Sequence, residues 1–214
     1  MRKRFIFALL MVGTINLIAA QDQPQAASNV AADPQVVSIL KGMATLHSQI
    51  DSAQTLQAKA EAWLNLNRQA DVLAKRMTQL LPTTPGSGPP TPTPTLNQIA
   101  DQSKVMGIVV NYCEIGTDWA ADSAGYVNYL NLWPDGPNAD EAFWKSKVEA
   151  NACGDFEGTA EEYEQGIKMY GDFIKRFPAS SFTARAKSQL EGYQAGLHEL
   201  QDQQAKPAPA NSHN

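Results

Sequence analysis

Residues 126–142 read YVNYLNLWPDGPNADEA and residues 170–186 read YGDFIKRFPASSFTARA, so one pattern returns after 44 residues. Each stretch carries three aromatic residues at helical spacing, then a proline, then an alanine eight residues beyond the proline. Helical spacing that stops at a proline and resumes after it predicts two helices joined by a turn. A fixed period of this size is typical of stacked helical hairpins.

The shared residues of the two copies are expected to pack where the helices of each hairpin meet. Large rings fill the space that small residues leave between two helices. Because one hairpin alone leaves a face bare, hairpins of this kind stack on one another. The predicted packing residues are Tyr126, Tyr129, Trp133, Pro134 and Ala142 in the first copy and Tyr170, Phe173, Phe177, Pro178 and Ala186 in the second.

The region around these copies, residues 96–203, also has the spacing of helices. A first helix is expected from Leu96 to Gly116, and Thr117-Asp118 is expected to cap a second helix. A third is expected over 139–150, with Ala142, Phe143 and Val148 facing inward, and a last one ends near residue 203. Thr159 and Glu162 have the spacing of a capping box, which predicts the start of another helix.

Residues 35–81 show a further helical pattern, which two arrangements satisfy. One is a helical hairpin that turns near Asp51. The other is a single long helix that associates with a second copy as a coiled coil, since Leu66, Leu73 and Leu80 belong to a heptad-like seam. Gln54 and Gln57 would enter the seam of a continuous helix, which favours the hairpin or a change of register.

A stretch rich in proline, threonine and glycine, residues 82–95, separates these two helical regions. Six prolines exclude a helix there and favour an extended, polyproline-like linker. At about 3 Å per residue such a linker spans on the order of 40 Å. The sequence thus predicts an all-α protein with an N-terminal helical segment, a linker and a C-terminal domain of helical hairpins.

The first 20 residues have the features of a secretory signal peptide. Arg2, Lys3 and Arg4 precede an uncharged run, Phe5 to Ala20, that ends in small residues. The run is short for a bilayer span, so we expect cleavage rather than stable membrane insertion. Residues 21–34 and 204–214 are expected to be a disordered lead-in and tail. The predicted location is the periplasm or the exterior.

The charge balance bears on the class of partner. Three of the 17 basic residues and none of the 22 acidic ones lie in the first 20, so the remainder carries a net charge of −8. An acidic surface argues against nucleic acid as a partner. It leaves proteins and peptides as candidates.

Cys113 and Cys153 are the two cysteines of the chain. In an exported protein a lone pair most often forms a disulfide. A metal site would need further His or Cys ligands close by, and a redox site would need a Cys-x-x-Cys motif. Neither is present, so the sequence predicts a structural bridge.

No pattern in the sequence identifies a catalytic group, a metal site or a cofactor. His-Glu-x-x-His, Gly-x-Ser-x-Gly and a phosphate-binding glycine-rich loop are all missing. His198 beside Glu199 lacks a nucleophile or further ligands. The acidic residues Asp155, Glu157, Glu161 and Glu162 lack the full spacing of a calcium loop, and carboxylates at a helix start stabilise its dipole.

The segment from Tyr170 through Phe173, Phe177-Pro178 and Ala186 to Leu190 resembles the hairpin junction of bacterial envelope tetratricopeptide-repeat proteins. Family members that act with the Tol–Pal system in cell division share a similar layout: signal peptide, oligomerising helices, Pro-rich linker and repeats. This chain departs from the family in its period of 44 rather than 34 and in lacking the Trp-x-x-Leu-Gly-x-x-Tyr part of the consensus. The resemblance implies a TPR-like, protein-binding C-terminal domain.

Two functions follow as hypotheses. The first is an exported, non-enzymatic scaffold or adaptor that binds proteins or peptides in the cell envelope through its repeats and self-associates through 35–81. The second is a small helical ligand-binding protein or enzyme with its site near the 151–162 loop, motivated by Cys153, Asp155 and Glu157.

Overall fold

The structure is a computed structural model that describes residues 33–82, 88–149, 153–154 and 156–205. The predicted signal peptide, residues 21–32 of the lead-in and the last nine residues lie outside these ranges, as does Asp155. Among the described residues no helix is both long and apolar enough to cross a membrane.

The first two helices form a hairpin. Helix α1, Pro34–Ser52, begins where the Asp33 carboxylate accepts hydrogen bonds from the amides of Gln35 and Val36, and α2, Leu56–Gln79, begins where Thr55 caps it. Arg76 near the end of α2 donates to Asp33 at the start of α1, so the helices run antiparallel. Of the two arrangements that the sequence allowed, a hairpin and a single long helix, the structure has the hairpin.

The hairpin places its polar and apolar residues as the sequence pattern requires. Gln54 and Gln57, which a continuous helix would bury, are exposed beside the turn. The seam residues Leu66 and Leu73 lie in a core that α1 and α2 share with residues beyond the Pro-rich stretch, including Leu96 and Trp119. The seam is therefore covered by other residues of the same chain rather than by a second copy in a coiled coil.

The Pro-rich stretch joins parts of one core. Helix α3, Pro94–Val105, starts with Thr93 as its cap, and the Tyr112 hydroxyl donates a hydrogen bond to the carbonyl of Pro90. Leu96 and Ile99 of α3 are buried against the first hairpin. The expectation of an extended spacer between two helical regions thus differs from the structure, in which those regions pack together.

The predicted helix from Leu96 to Gly116 is wrong beyond Val105. Gly107 takes a positive φ of 89° that ends the helix, and the β-branched and aromatic residues that follow favour a strand. Strands β1, Val110–Cys113, and β2, Asp118–Ala121, pair antiparallel, with Val110 opposite Ala121 and Cys113 opposite Asp118. The helix cap predicted at Thr117-Asp118 is wrong for the same reason: these residues belong to the strand hairpin.

Four more helical elements follow in the described part of the chain. They are α4, Ala124–Leu132; α5, Ala139–Phe143, which continues as a π-helical turn over Trp144–Val148; α6, Ala160–Arg176; and α7, Thr183–Ala205. The capping box at Thr159 and Glu162 is present at the start of α6, as predicted. The protein is mostly helical, in agreement with the coarse fold prediction, and the two short strands are an addition.

The two Pro turns have the same backbone hydrogen bonds, displaced by 44 residues. In the first, the amides of Trp133, Gly136, Ala139 and Ala142 donate to the carbonyls of Tyr129, Trp133, Gly136 and Asn138. In the second, the amides of Phe177, Ser180, Thr183 and Ala186 donate to the carbonyls of Phe173, Phe177, Ser180 and Phe182. The repeated sequence pattern therefore corresponds to a repeated backbone conformation.

Helices that follow one another along the chain pack side by side, apart from the insertion of α3 and the strands. Helix α1 packs on α2, α2 on α4, the π-helical turn on α6, and α6 on α7. The two Pro turns touch: Arg176 donates to the carbonyl of Pro134 over 2.8 Å, and the Ser180 hydroxyl donates to Asp140 over 2.7 Å. Apart from α3, the described helices thus form three adjoining hairpins, α1/α2, α4/α5 and α6/α7.

Candidate functional site

A large cleft lies between the two halves of the stack, away from the Pro turns. Its volume is about 1120 Å³. One wall is formed by the second half of α2, strand β2 and the start of α4, and the other by the π-helical turn, α6 and α7. This volume is at the upper end of typical ligand sites, so the cleft has room for a drug-sized molecule or a short peptide segment.

A paired carboxyl and phenol lie on the first wall. The Tyr126 hydroxyl of α4 donates to Oδ2 of Asp71 on α2 over 2.7 Å. Burial raises the pKa of Asp71 above its ordinary value, and this effect outweighs the hydrogen bond from Tyr126, which lowers it. Burial and the adjacent carboxylate also raise the pKa of Tyr126, so it remains a hydrogen-bond donor.

Helices α2 and α4 approach closely enough to form this pair because Gly125 has no side chain. A Cβ at Gly125 would lie 2.5 Å from the carbonyl oxygen of Trp63. At the same crossing the fully buried Asn67 accepts a hydrogen bond from the Gly125 amide over 2.7 Å and donates to the Asp122 carbonyl over 2.9 Å. The Asn67 side chain therefore satisfies backbone groups at the start of α4, whose own cap residue Ser123 makes no side-chain cap.

Glu149 is the centre of a charged cluster on the opposite wall. It accepts hydrogen bonds from the Trp144 indole at 2.8 Å, from Lys145 at 2.6 Å and from Arg185 at 3.4 Å. Burial on its own would raise the pKa of Glu149, but the hydrogen bonds from Lys145 and Trp144 prevail and lower it. Glu149 is therefore ionised and already neutralised by partners within the chain.

Three aromatic side chains cluster at the rim of the cleft, and two of them, Phe156 and Tyr193, line it. The rings of Phe156, Tyr163 and Tyr193 meet edge to face, with centroids between 5.2 and 5.9 Å apart. Phe156 remains 53% exposed, so an apolar surface faces solvent at this rim. The ring of Tyr193 lies over Gly166, where an added Cβ would be 2.1 Å from it, and Tyr163 lies over Gly196 in the same way. Helices α6 and α7 are thus held by two ring-on-glycine contacts.

Cys113 and Cys153 form a disulfide, as the sequence predicts, with their Cα atoms 5.4 Å apart. Cys113 ends β1, and Cys153 precedes Gly154 and Phe156, both of which line the cleft. The disulfide therefore joins the strand hairpin on one wall to the segment that leads into α6 on the other.

The residues predicted to pack the two copies of the repeat have similar burial at equivalent positions. Six are buried: Tyr126, Tyr129, Ala142, Tyr170, Phe173 and Ala186. Trp133 and Phe177 are half-buried, and Pro134 and Pro178 lie exposed in the two turns. Phe177 contacts the cores of both hairpins, and its ring centroid is 5.8 Å from that of Phe143.

Glu162, one of the acidic residues near the 151–162 loop, caps α6. Glu162 accepts hydrogen bonds from the amides of Thr159 and Glu157 as part of the capping box. His198 lies 3.2 Å from Asp202 on the exposed side of α7. Across the described ranges, no three His, Cys, Asp or Glu side chains converge as metal ligands.

Sequence reasoning missed the groups that give the cleft its polarity. Asn67 and Asp71 are four residues apart on α2, so they face the same side of that helix beside its apolar seam. That spacing was the available signal, but their partners Gly125 and Tyr126 lie more than 50 residues away in sequence. Neither a protein-family model, nor a curated protein, nor a solved structure matches this chain.

Proposed function

We propose that this protein is an exported, non-enzymatic scaffold that binds an extended segment of a partner protein, or a peptide, in the cleft between its hairpins. The observation that carries this proposal is the cleft itself, whose walls combine apolar surface, exposed aromatic carbon at Phe156 and both signs of charge. A polypeptide segment offers the same mixture, with backbone groups, apolar side chains and charges. Export and the envelope location rest on the signal-like residues 1–20.

The hairpin arrangement supports the TPR-like form of this proposal. Stacked helical hairpins create extended surfaces that serve protein binding in solenoid proteins. Two of the three hairpins here each turn at a proline, and the two turns have the same pattern of backbone hydrogen bonds. All three hairpins adjoin in chain order. We therefore place partner binding on the C-terminal hairpins and their cleft. Self-association through 35–81 has less support, because the seam proposed for it packs inside the chain.

Binding to a peptide array tests this function. The purified protein is probed against random ten-residue peptides, together with two tryptophan variants. Ala120→Trp fills the cleft from the half-buried face of β2, and Ala195→Trp adds the same ring to the exposed side of α7. We expect the wild type and Ala195→Trp to bind the same subset of peptides, and Ala120→Trp to bind them at least tenfold more weakly. Equal binding by all three proteins, or no binding by any, contradicts the proposal.

A small-molecule binding protein is the second candidate, and one observation favours it. Gly154, Phe156 and Glu162 of the 151–162 region line the same cleft as the half-buried Asp71, which is compatible with an enclosed polar ligand. A thermal-shift screen of metabolites separates the two functions. A metabolite that raises the melting temperature of the wild type but not of Ala120→Trp, with no peptide bound by the array, favours this candidate.

A further inference from the structure

We infer that Asp71 anchors a lysine side chain of the segment bound in the cleft. This inference rests on the proposed function, since it assigns a ligand group to one point of that cleft. It specifies a side-chain chemistry that the cleft selects, and hence a class of partner sequence.

The geometry around Asp71 leaves one carboxylate oxygen to a ligand. Oδ2 accepts from Tyr126, whereas Oδ1 has no donor among the described residues. Asp71 also has no basic nitrogen within ion-pair distance in the described part of the chain, unlike Glu149 and Asp172 in the same cleft. A carboxylate that is partly removed from water and lacks a charged partner is destabilised, and an incoming cation removes that penalty.

The charged groups that face Asp71 come from α2 and from the π-helical turn with its cap residue Glu149. Lys75 on α2 and Lys145 on the π-helical turn favour its ionised form, and Glu149 opposes it. Lys145 itself is bonded to Glu149, so it acts on Asp71 at a distance. Burial outweighs the attraction of these lysines and raises the pKa of Asp71, and neither lysine is within ion-pair distance of it.

The single free oxygen favours an ammonium group over a guanidinium group. Arginine binds carboxylates best through two parallel hydrogen bonds, which would require both oxygens. A lysine ammonium is a compact charge that needs only one acceptor oxygen, and its aliphatic stem packs along apolar surface. Ala74, Ala120 and Tyr126 line the cleft near this wall and provide such a surface.

n-Butylamine, which reproduces the lysine stem and head group, provides a direct probe. We expect it to cause saturable NMR shifts at the Asp71 and Tyr126 amides of the wild-type protein, and n-butanol to cause none that saturate. Asp71→Asn keeps an acceptor for the Tyr126 hydroxyl but removes the charge, and should weaken n-butylamine binding at least tenfold. Asp172→Asn, a cleft carboxylate already paired with Lys168, should bind as the wild type does.

Two results overturn the inference. In the first, the wild type and Asp71→Asn bind n-butylamine equally well. In the second, the wild type binds n-butylamine and n-butanol equally well, a result that needs no variant. If either occurs while Ala120→Trp still abolishes peptide binding, the cleft remains the binding site and only the anchor is wrong. For array peptides, Nε-acetylation of lysine should reduce binding tenfold. Loss on Nα-acetylation instead contradicts the lysine assignment.

Discussion

Asn67 joins α2 to the start of α4 by two hydrogen bonds. It is fully buried and holds two backbone groups at the start of α4, the Gly125 amide and the Asp122 carbonyl. A buried donor or acceptor left without its partner costs about 1–3 kcal/mol. The side chain is therefore a structural part of the wall that carries Asp71 and Tyr126.

Asn67→Ala should lower the free energy of unfolding by about 2–3 kcal/mol, because it leaves both backbone groups unpaired in the interior. Urea unfolding followed by circular dichroism measures the change. Asn97→Ala, at an exposed position of α3, is the matched control and should stay within about 0.5 kcal/mol of the wild type. A similar change for both variants would mean that the Asn67 hydrogen bonds do not hold the helices together.

Asp71 should make the stability of the protein depend on pH. Its pKa is raised by folding above the ordinary value of 3.8, so the folded chain holds this proton more tightly than the unfolded chain. The stability from Asp71 is therefore complete below 3.8 and is lost as the pH rises through the raised value.

The free energy of unfolding of the wild type should thus fall relative to that of Asp71→Asn as the pH rises from 3.8 through the raised pKa of Asp71. Urea unfolding of both proteins across that range measures the difference. A constant difference between the two proteins, or a wild type that gains on the variant as the pH rises, would contradict the burial of Asp71.

At the residue scale, local patterns were predictable and distant pairings were not. Thr159 and Glu162 lie three residues apart, so one turn of helix brings them together, and an exported chain with two cysteines has few alternatives to a disulfide. Asp71 meets Tyr126 only after α2 and α4 have packed. No spacing rule reaches over the 55 residues between them.

At the scale of elements, the pairing of α6 with α7 depends on two glycines. Gly166 and Gly196 lie under the rings of Tyr193 and Tyr163, with no space for a Cβ. Gly171 of the same helix α6 has nothing within 4 Å of the position that a Cβ would occupy. The two α6 glycines therefore differ in packing while sharing the same helical backbone.

Gly166→Ala should destabilise the protein by about 1–3 kcal/mol, because the methyl group forces the Tyr193 ring away from α6. Gly171→Ala should stabilise it by about 0.5–1 kcal/mol, since alanine is the better helix former and meets no neighbour. Thermal unfolding of both variants checks the two signs. Equal effects would show that α6 and α7 do not cross at Gly166.

The element that sequence analysis placed wrongly is the strand pair. Leu96, Ile99 and Met106 have helical spacing, and Val110 and Cys113 continue it by coincidence, so periodicity alone predicted one long helix. Gly107 ends the helix by adopting a positive φ, and after it Ile108 and Val110 are buried while Val109 between them is half-buried. The glycine followed by β-branched residues was the local signal that the periodicity concealed.

At the scale of the whole molecule, the disulfide connects two parts of the structure that meet at the cleft. Its two cysteines are 40 residues apart in sequence, and the loop that it closes contains β2, α4 and α5. Restricting such a loop in the unfolded chain stabilises the folded state by about 2–4 kcal/mol. Reduction should therefore loosen the attachment of the 153–156 segment as well as lower global stability.

Replacing both cysteines by serine should lower the free energy of unfolding by about 2–4 kcal/mol. Dithiothreitol should produce a similar decrease in the wild type and no change in the double variant. The measurement is guanidinium unfolding with and without the reductant. A wild type whose stability is insensitive to dithiothreitol would indicate that Cys113 and Cys153 are not bonded in solution.

The domain arrangement shows why composition was a poor guide to large-scale packing. The closely spaced prolines of residues 82–92 disfavour a helix, whereas Pro94 is tolerated because it is the first residue of α3. Whether the chain then returns to pack on the first hairpin depends on the apolar faces of α2 and α3. The sequence predicted both apolar faces but not their contact, because the linker is long enough for the two helical regions either to pack together or to stay apart.

The two Pro-bent hairpins must lie side by side for the cleft beside them to exist. Double electron–electron resonance tests this most directly, with spin labels at Asp135→Cys in the first turn and Ala179→Cys in the second, since both native cysteines are in the disulfide. Neighbouring helix axes lie about 8–10 Å apart, so a narrow distribution centred near about 20 Å is expected. A broad distribution at much longer distances would show that the hairpins are separate and that the cleft does not exist.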